Sequence, residues 1–75
     1  MYTICKLGLD ANDHIIAGLE DDLAAFDDED GAFDYVDAHR FEFKEYHVKG
    51  CAYTEIVIEK RIDGECVGRV YEELL

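Results

Sequence analysis

The chain of 75 residues has no proline, no tryptophan and only six glycines. Residues that interrupt helices and strands are therefore few, which favours regular elements joined by short turns. No apolar run is long enough to cross a bilayer, and residues 1–6 lack the basic and apolar regions of a signal peptide. We expect one domain, residues 1–75, that lies in the cytoplasm and not in a membrane.

Cysteines are also few, and their number is odd. Cys5, Cys51 and Cys66 show no C-x-x-C spacing. The disulfide framework of a small secreted domain usually has an even and denser set. We therefore expect buried, free thiols in a reducing compartment.

Basic residues are absent from residues 7–39. That stretch holds eleven of the nineteen acidic residues, so it carries −11 of the net charge of −12. A hydrophobic content of 49% argues against disorder in spite of this charge. Phosphates and anionic lipids repel such a surface. We expect no direct nucleic-acid or membrane binding, and the surface of a basic protein as the partner.

Residues 13–28 have the apolar spacing of an amphipathic helix. Asp10 or Asn12 provides an N-cap before it, and Gly31 ends it after four consecutive acids. The apolar residues fall within an arc of about 100°, and they are Ile15, Ile16, Leu19, Leu23 and Phe26. The sequence predicts a helix with an acidic outer ridge, followed by a second short helix over residues 32–40.

The remaining segments favour strands. Residues 2–9, 52–62 and 65–71 are rich in β-forming residues, and Asp63-Gly64 predicts a two-residue hairpin turn. Residues 41–44 and 46–49 alternate in opposite phases, which predicts strand with a bulge near Lys44. The order β-α-(α)-β-β-β predicts an α+β fold, in which one acidic amphipathic helix packs on one face of a small antiparallel sheet of about four strands.

An acidic run before Gly31 invites comparison with a calcium loop. If Gly31 is aligned with the invariant glycine of an EF-hand, Asp28 and Asp30 fall on ligand positions. Phe26 then occupies the first ligand position and has no oxygen to offer, and Asp37 replaces the bidentate glutamate. A binder of divalent ions stays an alternative, but we expect no metal site.

Zinc and catalytic sites have weaker support. His47, Cys51 and Cys66 lack the spacing of a zinc finger or ribbon. A strongly acidic chain lacks the electropositive setting that activates a cysteine nucleophile, and the sequence contains no phosphate-binding glycine-rich loop. We therefore expect a protein that is not an enzyme and has no cofactor.

The acidic ridge has nearly the charge spacing of a polynucleotide. Six acids in residues 13–28 give about one negative charge per 4 Å of helix, against about 3.4 Å per phosphate along one DNA strand. Such a ridge would compete for sites built from Arg and Lys. The residues expected to contact the partner are Asp13, Glu20, Asp21, Asp27, Asp28, Glu29, Asp30, Asp34 and Asp37.

In size and acidity, residues 7–39 resemble the small nucleic-acid-mimic inhibitors of phages and mobile elements. These include anti-CRISPR proteins, antirestriction proteins and inhibitors of uracil-DNA glycosylase. The resemblance is one of composition and assigns no residue roles. It implies a stoichiometric inhibitor, in the cytoplasm of a bacterial host, that blocks the nucleic-acid-binding surface of a nuclease or CRISPR effector complex.

Other interpretations of the same composition stay open. The acidic ridge could serve only to solvate the protein. The chain could also be an acidic interaction module, antitoxin-like or a regulatory subunit, that binds a basic protein mainly by hydrophobic contact through Tyr46, Tyr53 and Tyr71. A homodimer formed through an exposed sheet edge is a further alternative.

Overall fold

The computed structural model describes residues 1–45 and 50–75. Its strands form one antiparallel sheet in the order β2-β1-β3-β4, and its helix packs on one face. This confirms the predicted α+β class, although two strands and not one precede the helix. The elements are β1 (Tyr2–Leu9), β2 (Ile15–Phe26), α1 (Glu29–Glu45), β3 (Tyr53–Ile62) and β4 (Glu65–Leu74).

The centre of the sheet is regular and its margins are not. β1 and β3 pair without interruption from Tyr2 opposite Lys60 to Leu9 opposite Tyr53. The pairing of β1 with β2 has two register shifts, and so does the pairing of β3 with β4. Both outer strands are therefore bulged.

Local sequence signals predicted most of the sheet. β1 has the predicted bounds, and β3 and β4 match the predicted strands 52–62 and 65–71 closely. Asp63 and Gly64 have φ of 53° and 82°, as a two-residue hairpin turn requires.

The predicted helix over residues 13–28 is wrong, because residues 15–26 form β2. Its register shifts fall between the partners of Ile4 and Cys5 and between those of Leu7 and Leu9. Each shift inserts residues into the two-residue alternation of a strand. The half-buried side chains consequently recur at intervals of three and four, as on a helix: Ile16, Leu19, Leu23 and Phe26.

Asp10 organises a loop and does not cap a helix. Its Oδ1 accepts the backbone N–H of Asn12 at 2.8 Å and that of His14 at 3.0 Å. Asp13 takes a positive φ of 63° within this turn. The loop connects β1 to β2 of the same hairpin. The acceptor was predicted correctly, but the element that follows it was not.

The predicted second helix, residues 32–40, lies inside α1, which is longer in both directions. Ala32, Val36 and Phe43 face inward and pack against a core that contains Ile4 and Ile58. The predicted strand over 41–44 and the bulge near Lys44 are therefore wrong. The predicted strand over 46–49 lies outside the described residues.

Candidate partner-binding surface

The N-terminus of α1 gathers the acidic run that was predicted to end a helix. Asp27 and Asp28 follow β2, and Glu29 and Asp30 form the first turn of α1. The Asp28 carboxylate accepts the backbone N–H of Gly31 at 2.7 Å, so Asp28 is the N-cap. Acidic side chains are favourable here, because this is the positive end of the helix dipole. The same residues would have been unfavourable at the C-terminus of the predicted helix.

Gly31 was predicted to end a helix and instead lies in the first turn of α1. A Cβ added there would lie 2.7 Å from the Asp28 carboxylate and 3.2 Å from the ring of Phe26. Glycine therefore allows β2 and α1 to meet closely at this junction.

Farther along α1, one line of residues points away from the sheet. Asp30, Asp34 and Asp37 are exposed and fall within an arc of about 60°. Their rise along the helix axis is about 6 Å and then about 4.5 Å. Phe41 lies on the same line, one turn beyond Asp37, and is 82% exposed. We call these four residues the outer face of α1.

Arg40 neutralises one end of the outer face. Its guanidinium lies 3.3 Å from the Asp37 carboxylate and 3.6 Å from that of Glu73, and it donates to the Tyr71 hydroxyl at 3.3 Å. Among the side chains that the structure describes, no basic group lies within ion-pair distance of Asp30 or Asp34. The outer face thus keeps a net negative charge.

Three predicted contact residues lie neither on α1 nor next to its N-terminus. Asp13 lies in the loop between β1 and β2. Glu20 and Asp21 are neighbours in β2, opposite Leu7 and Lys6 of β1, and so they point to different faces of the sheet. The single helical ridge predicted from residues 13–28 is therefore not formed.

The sheet face opposite α1, which we call the open face, carries a second charged cluster. Arg61 donates two hydrogen bonds to the Asp22 carboxylate, at 2.9 and 3.0 Å, and two to Glu59, at 3.0 and 3.1 Å. Its guanidinium also lies 3.4 Å from the Cys5 sulfur. On β4, Arg69 lies within 3.7 Å of both Glu55 and Glu72. Asp22, Glu55, Glu59 and Glu72 are consequently held in ion pairs.

This network determines the chemistry of Cys5. Burial, followed by the hydrogen bond to Asp22, raises the pKa of the Cys5 thiol to about 12. The hydrogen bonds from Arg61 lower the pKa of Asp22. A thiol held in its protonated form is a poor nucleophile. Sequence reasoning missed it because Asp22 and Arg61 are 39 residues apart.

An open groove of about 750 Å³ continues from this network. Met1, Leu23 and Ile62 supply apolar walls, while Asp22 and Arg61 lie at one side. Because those two charged groups are paired with each other, they leave little polar chemistry to fix a ligand.

The residues of the considered metal sites are used otherwise or lie apart. Asp28 is the cap of α1, Cys66 is exposed on β4 and Cys51 lies outside any strand. His47 lies outside the described residues. Across residues 1–45 and 50–75, no group of three or more His, Cys, Asp or Glu side chains is placed to hold a metal ion.

The fold and surface define a small α+β domain with an acidic, outward-facing helix. No protein-family model, curated protein or solved structure matches the chain significantly. The one helix in the described part of the chain is too short and too polar to span a membrane.

Proposed function

We propose that the chain is a non-enzymatic inhibitor that binds a basic protein surface in place of nucleic acid. Its contact surface is α1, with the outer face and the acidic N-terminal turn. The partner is the nucleic-acid-binding surface of a nuclease or a CRISPR effector complex of a bacterial host. The protein itself binds neither nucleic acid nor membrane.

A difference in charge pairing supports this proposal. On the open face, Asp22, Glu55, Glu59 and Glu72 are paired with Arg61 or Arg69. Asp27, Asp28, Glu29, Asp30 and Asp34, which lie just before α1 or in its N-terminal part, form no ion pair with a described basic side chain. Paired acids contribute little field, whereas unpaired ones attract a cationic surface and accelerate association.

The proposed contact surface differs from the acidic ridge that the sequence predicted along residues 13–28. Six of the nine expected contact residues lie on or beside α1, namely Asp27, Asp28, Glu29, Asp30, Asp34 and Asp37. Binding is therefore expected to depend on these residues more than on Asp13, Glu20 or Asp21.

Charge neutralisation at matched sites tests the proposal. One variant carries Asp30→Asn, Asp34→Asn and Asp37→Asn. A control carries Asp13→Asn, Glu20→Gln and Asp21→Asn, which removes the same charge from the β1–β2 hairpin. Each is tested for its ability to displace DNA from a panel of purified CRISPR effector complexes and restriction endonucleases. We expect wild-type protein and control to inhibit, and the α1 variant to lose inhibition.

Salt and competition provide a second readout. Binding should weaken steeply between low and moderate ionic strength, and excess DNA should compete with it. Equal inhibition by the α1 variant and wild type would overturn the proposal, as would failure of wild-type protein to displace DNA from every member of the panel. Circular dichroism establishes that each variant is folded.

A second candidate function, the hydrophobic interaction module, has support on the open face. Ile15 and Tyr53 lie opposite Leu9 in the sheet, and both are exposed, as is Leu74 at the end of β4. Tyr71, one of the expected aromatic anchors, lies on the α1 side opposite Ile58, is only partly exposed and donates a hydrogen bond from its hydroxyl to Glu73 at 2.6 Å. Tyr46 lies outside the described residues. For this module, binding that survives high salt and depends on Tyr53 is expected.

A further inference from the structure

Phe41 is the most exposed large hydrophobic residue among those that the structure describes. It is 82% exposed, and the next highest value is 58%, at Met1. The other aromatic residues of α1 behave differently: Phe33 and Tyr35 pack against the core, and Phe43 is buried. Phe41 is thus excluded from the core that its neighbours form.

The geometry of α1 accounts for this exclusion. Phe43 is two residues from Phe41 and hence about 160° away around the helix. The inward side is already filled by Ala32, Val36 and Phe43. Phe41 therefore falls on the line of Asp30, Asp34 and Asp37, within the same arc of about 60°.

We infer that Phe41 is an apolar anchor of the outer face, which inserts into an apolar pocket among the lysines and arginines of a basic protein. The inference rests on the proposed function and names the partner surface more closely. The acids Asp30 and Asp34 select a cationic rim by charge complementarity. A large exposed aromatic ring beside them gains most when it enters a desolvated pocket.

This arrangement corresponds to recognition of a helix in a groove. One groove of the partner can bind both the Phe41 anchor at one end of the outer face and the acids spaced along the same side. A partner surface that binds only phosphates would gain nothing from contact with the Phe41 ring. Nucleic-acid channels that stack bases, in contrast, have apolar pockets between basic groups. The partner surface is accordingly both basic and apolar, and its contact with this chain keeps a component that salt does not screen.

Two synthetic peptides of about 20 residues test the anchor, because a helix of that length spans α1. Both contain the same number of lysines. In one peptide, leucines are spaced three and four residues apart, so that they form an apolar side of the helix, and lysines occupy the other positions. In the other peptide, serine replaces every leucine. Dissociation constants are measured by isothermal titration calorimetry at about 0.15 M salt. Wild-type protein is compared with Phe41→Ala, which introduces a good helix former at an exposed site, and with the control Ile62→Ala on β3.

We expect Phe41→Ala to weaken binding of the lysine–leucine peptide at least about tenfold. It should leave the lysine–serine peptide within about twofold, and Ile62→Ala should leave both peptides within about twofold. Similar binding of the lysine–leucine peptide by Phe41→Ala and wild type would overturn the anchor, and so would an equal loss in Ile62→Ala. Absence of wild-type binding to that peptide overturns it as well.

The proposed function fails by a different result. If the variant with Asp30→Asn, Asp34→Asn and Asp37→Asn binds the lysine–serine peptide as tightly as wild type, the acids of the outer face do not attract a basic surface. The contribution of the acids is therefore tested with the lysine–serine peptide and the acid variant. The contribution of the Phe41 ring is tested with the lysine–leucine peptide and Phe41→Ala.

Discussion

The two faces of the sheet bury their apolar side chains by different means. α1 covers one face and encloses Ile4, Ile56 and Ile58. On the open face, Cys5 and Leu7 are also no more than 2% exposed, without a helix over them in the described part of the chain. There the cover comes from the sheet's own long side chains.

Two arginines contribute to the shielding of the buried residues on the open face from solvent. An arginine side chain combines an aliphatic stem suited to apolar surface with a charged end, and the charged ends of Arg61 and Arg69 pair with carboxylates on this face. Two of the chain's few basic residues are thereby committed to this face. Asp30 and Asp34 on the outer face of α1 have no such ion pair among the described side chains.

The largest expected difference is in thiol reactivity, between the buried Cys5 and the exposed Cys66. In a Cys51→Ser background, we expect Cys5 to react with Ellman's reagent at least about 100-fold more slowly than Cys66 at about pH 8, because Cys5 is buried and its surroundings keep the thiol protonated. The pKa of Cys5 is raised from 9.0 to about 12, and Cys66 is exposed. In urea the two rates should converge. Similar rates in the folded protein would mean that the arginine cover opens readily.

Truncation on the two faces of β1 should give the next largest effect. Ile4→Ala and Leu7→Ala each remove three carbons from a buried side chain. We expect losses in the free energy of unfolding of about 4 kcal/mol for Ile4→Ala and about 2 kcal/mol for Leu7→Ala, because flexible Arg and Glu side chains can collapse into a cavity and a packed helix cannot. Urea titration measures both, with Ile4→Val as a milder variant. Equal losses would contradict the distinction between the faces.

Removal of Arg61 should have a smaller effect that is specific to the open face. We expect Arg61→Ala to cost about 2 kcal/mol in the free energy of unfolding, since hydrogen bonds to charged groups are lost and Glu59, which is mostly buried, is left without its cation. Arg61→Lys should recover part of this. Cys5 should also become more reactive in Arg61→Ala. Unchanged stability and unchanged thiol protection together would exclude Arg61 as part of the cover.

The smallest effect concerns acid. Because Arg61 lowers the pKa of Asp22 below its ordinary value of 3.8 in the folded protein, the ion pair stabilises the fold above that value. The stabilisation is lost as pH falls through the lower, folded pKa. Urea titrations from about pH 5 to about pH 2 should show a shallower loss for Asp22→Asn than for wild type. Parallel curves would show that the pair adds no stability.

Local chemistry predicted the parts of the fold that depend on few residues. The β-rich run 2–9 and the turn Asp63-Gly64 have conformations set by their own side chains. β2 could not be predicted in this way, because its bulges arise from pairing with β1 and give its apolar residues a helical spacing. Gly18, with φ of 86° in the irregular part of β2, was the local signal for a strand distortion.

The candidate surface was predicted in part for the same reason. Asp34 and Asp37 were placed on a short helix, which is part of α1. The cap at Asp28 was not recognised, so the acidic run was assigned to the wrong helix end. Pairing of Asp22 with Arg61 depends on the closed sheet and has no local signature.

The interrupted outer strands also bear on how the molecule behaves among its own copies. A margin whose register shifts twice offers no long, straight row of backbone groups on which another chain could extend the sheet. With a net charge of −12 repelling each approach, growth into filaments by strand addition is disfavoured at both borders. Both features favour a chain that stays dispersed at high concentration.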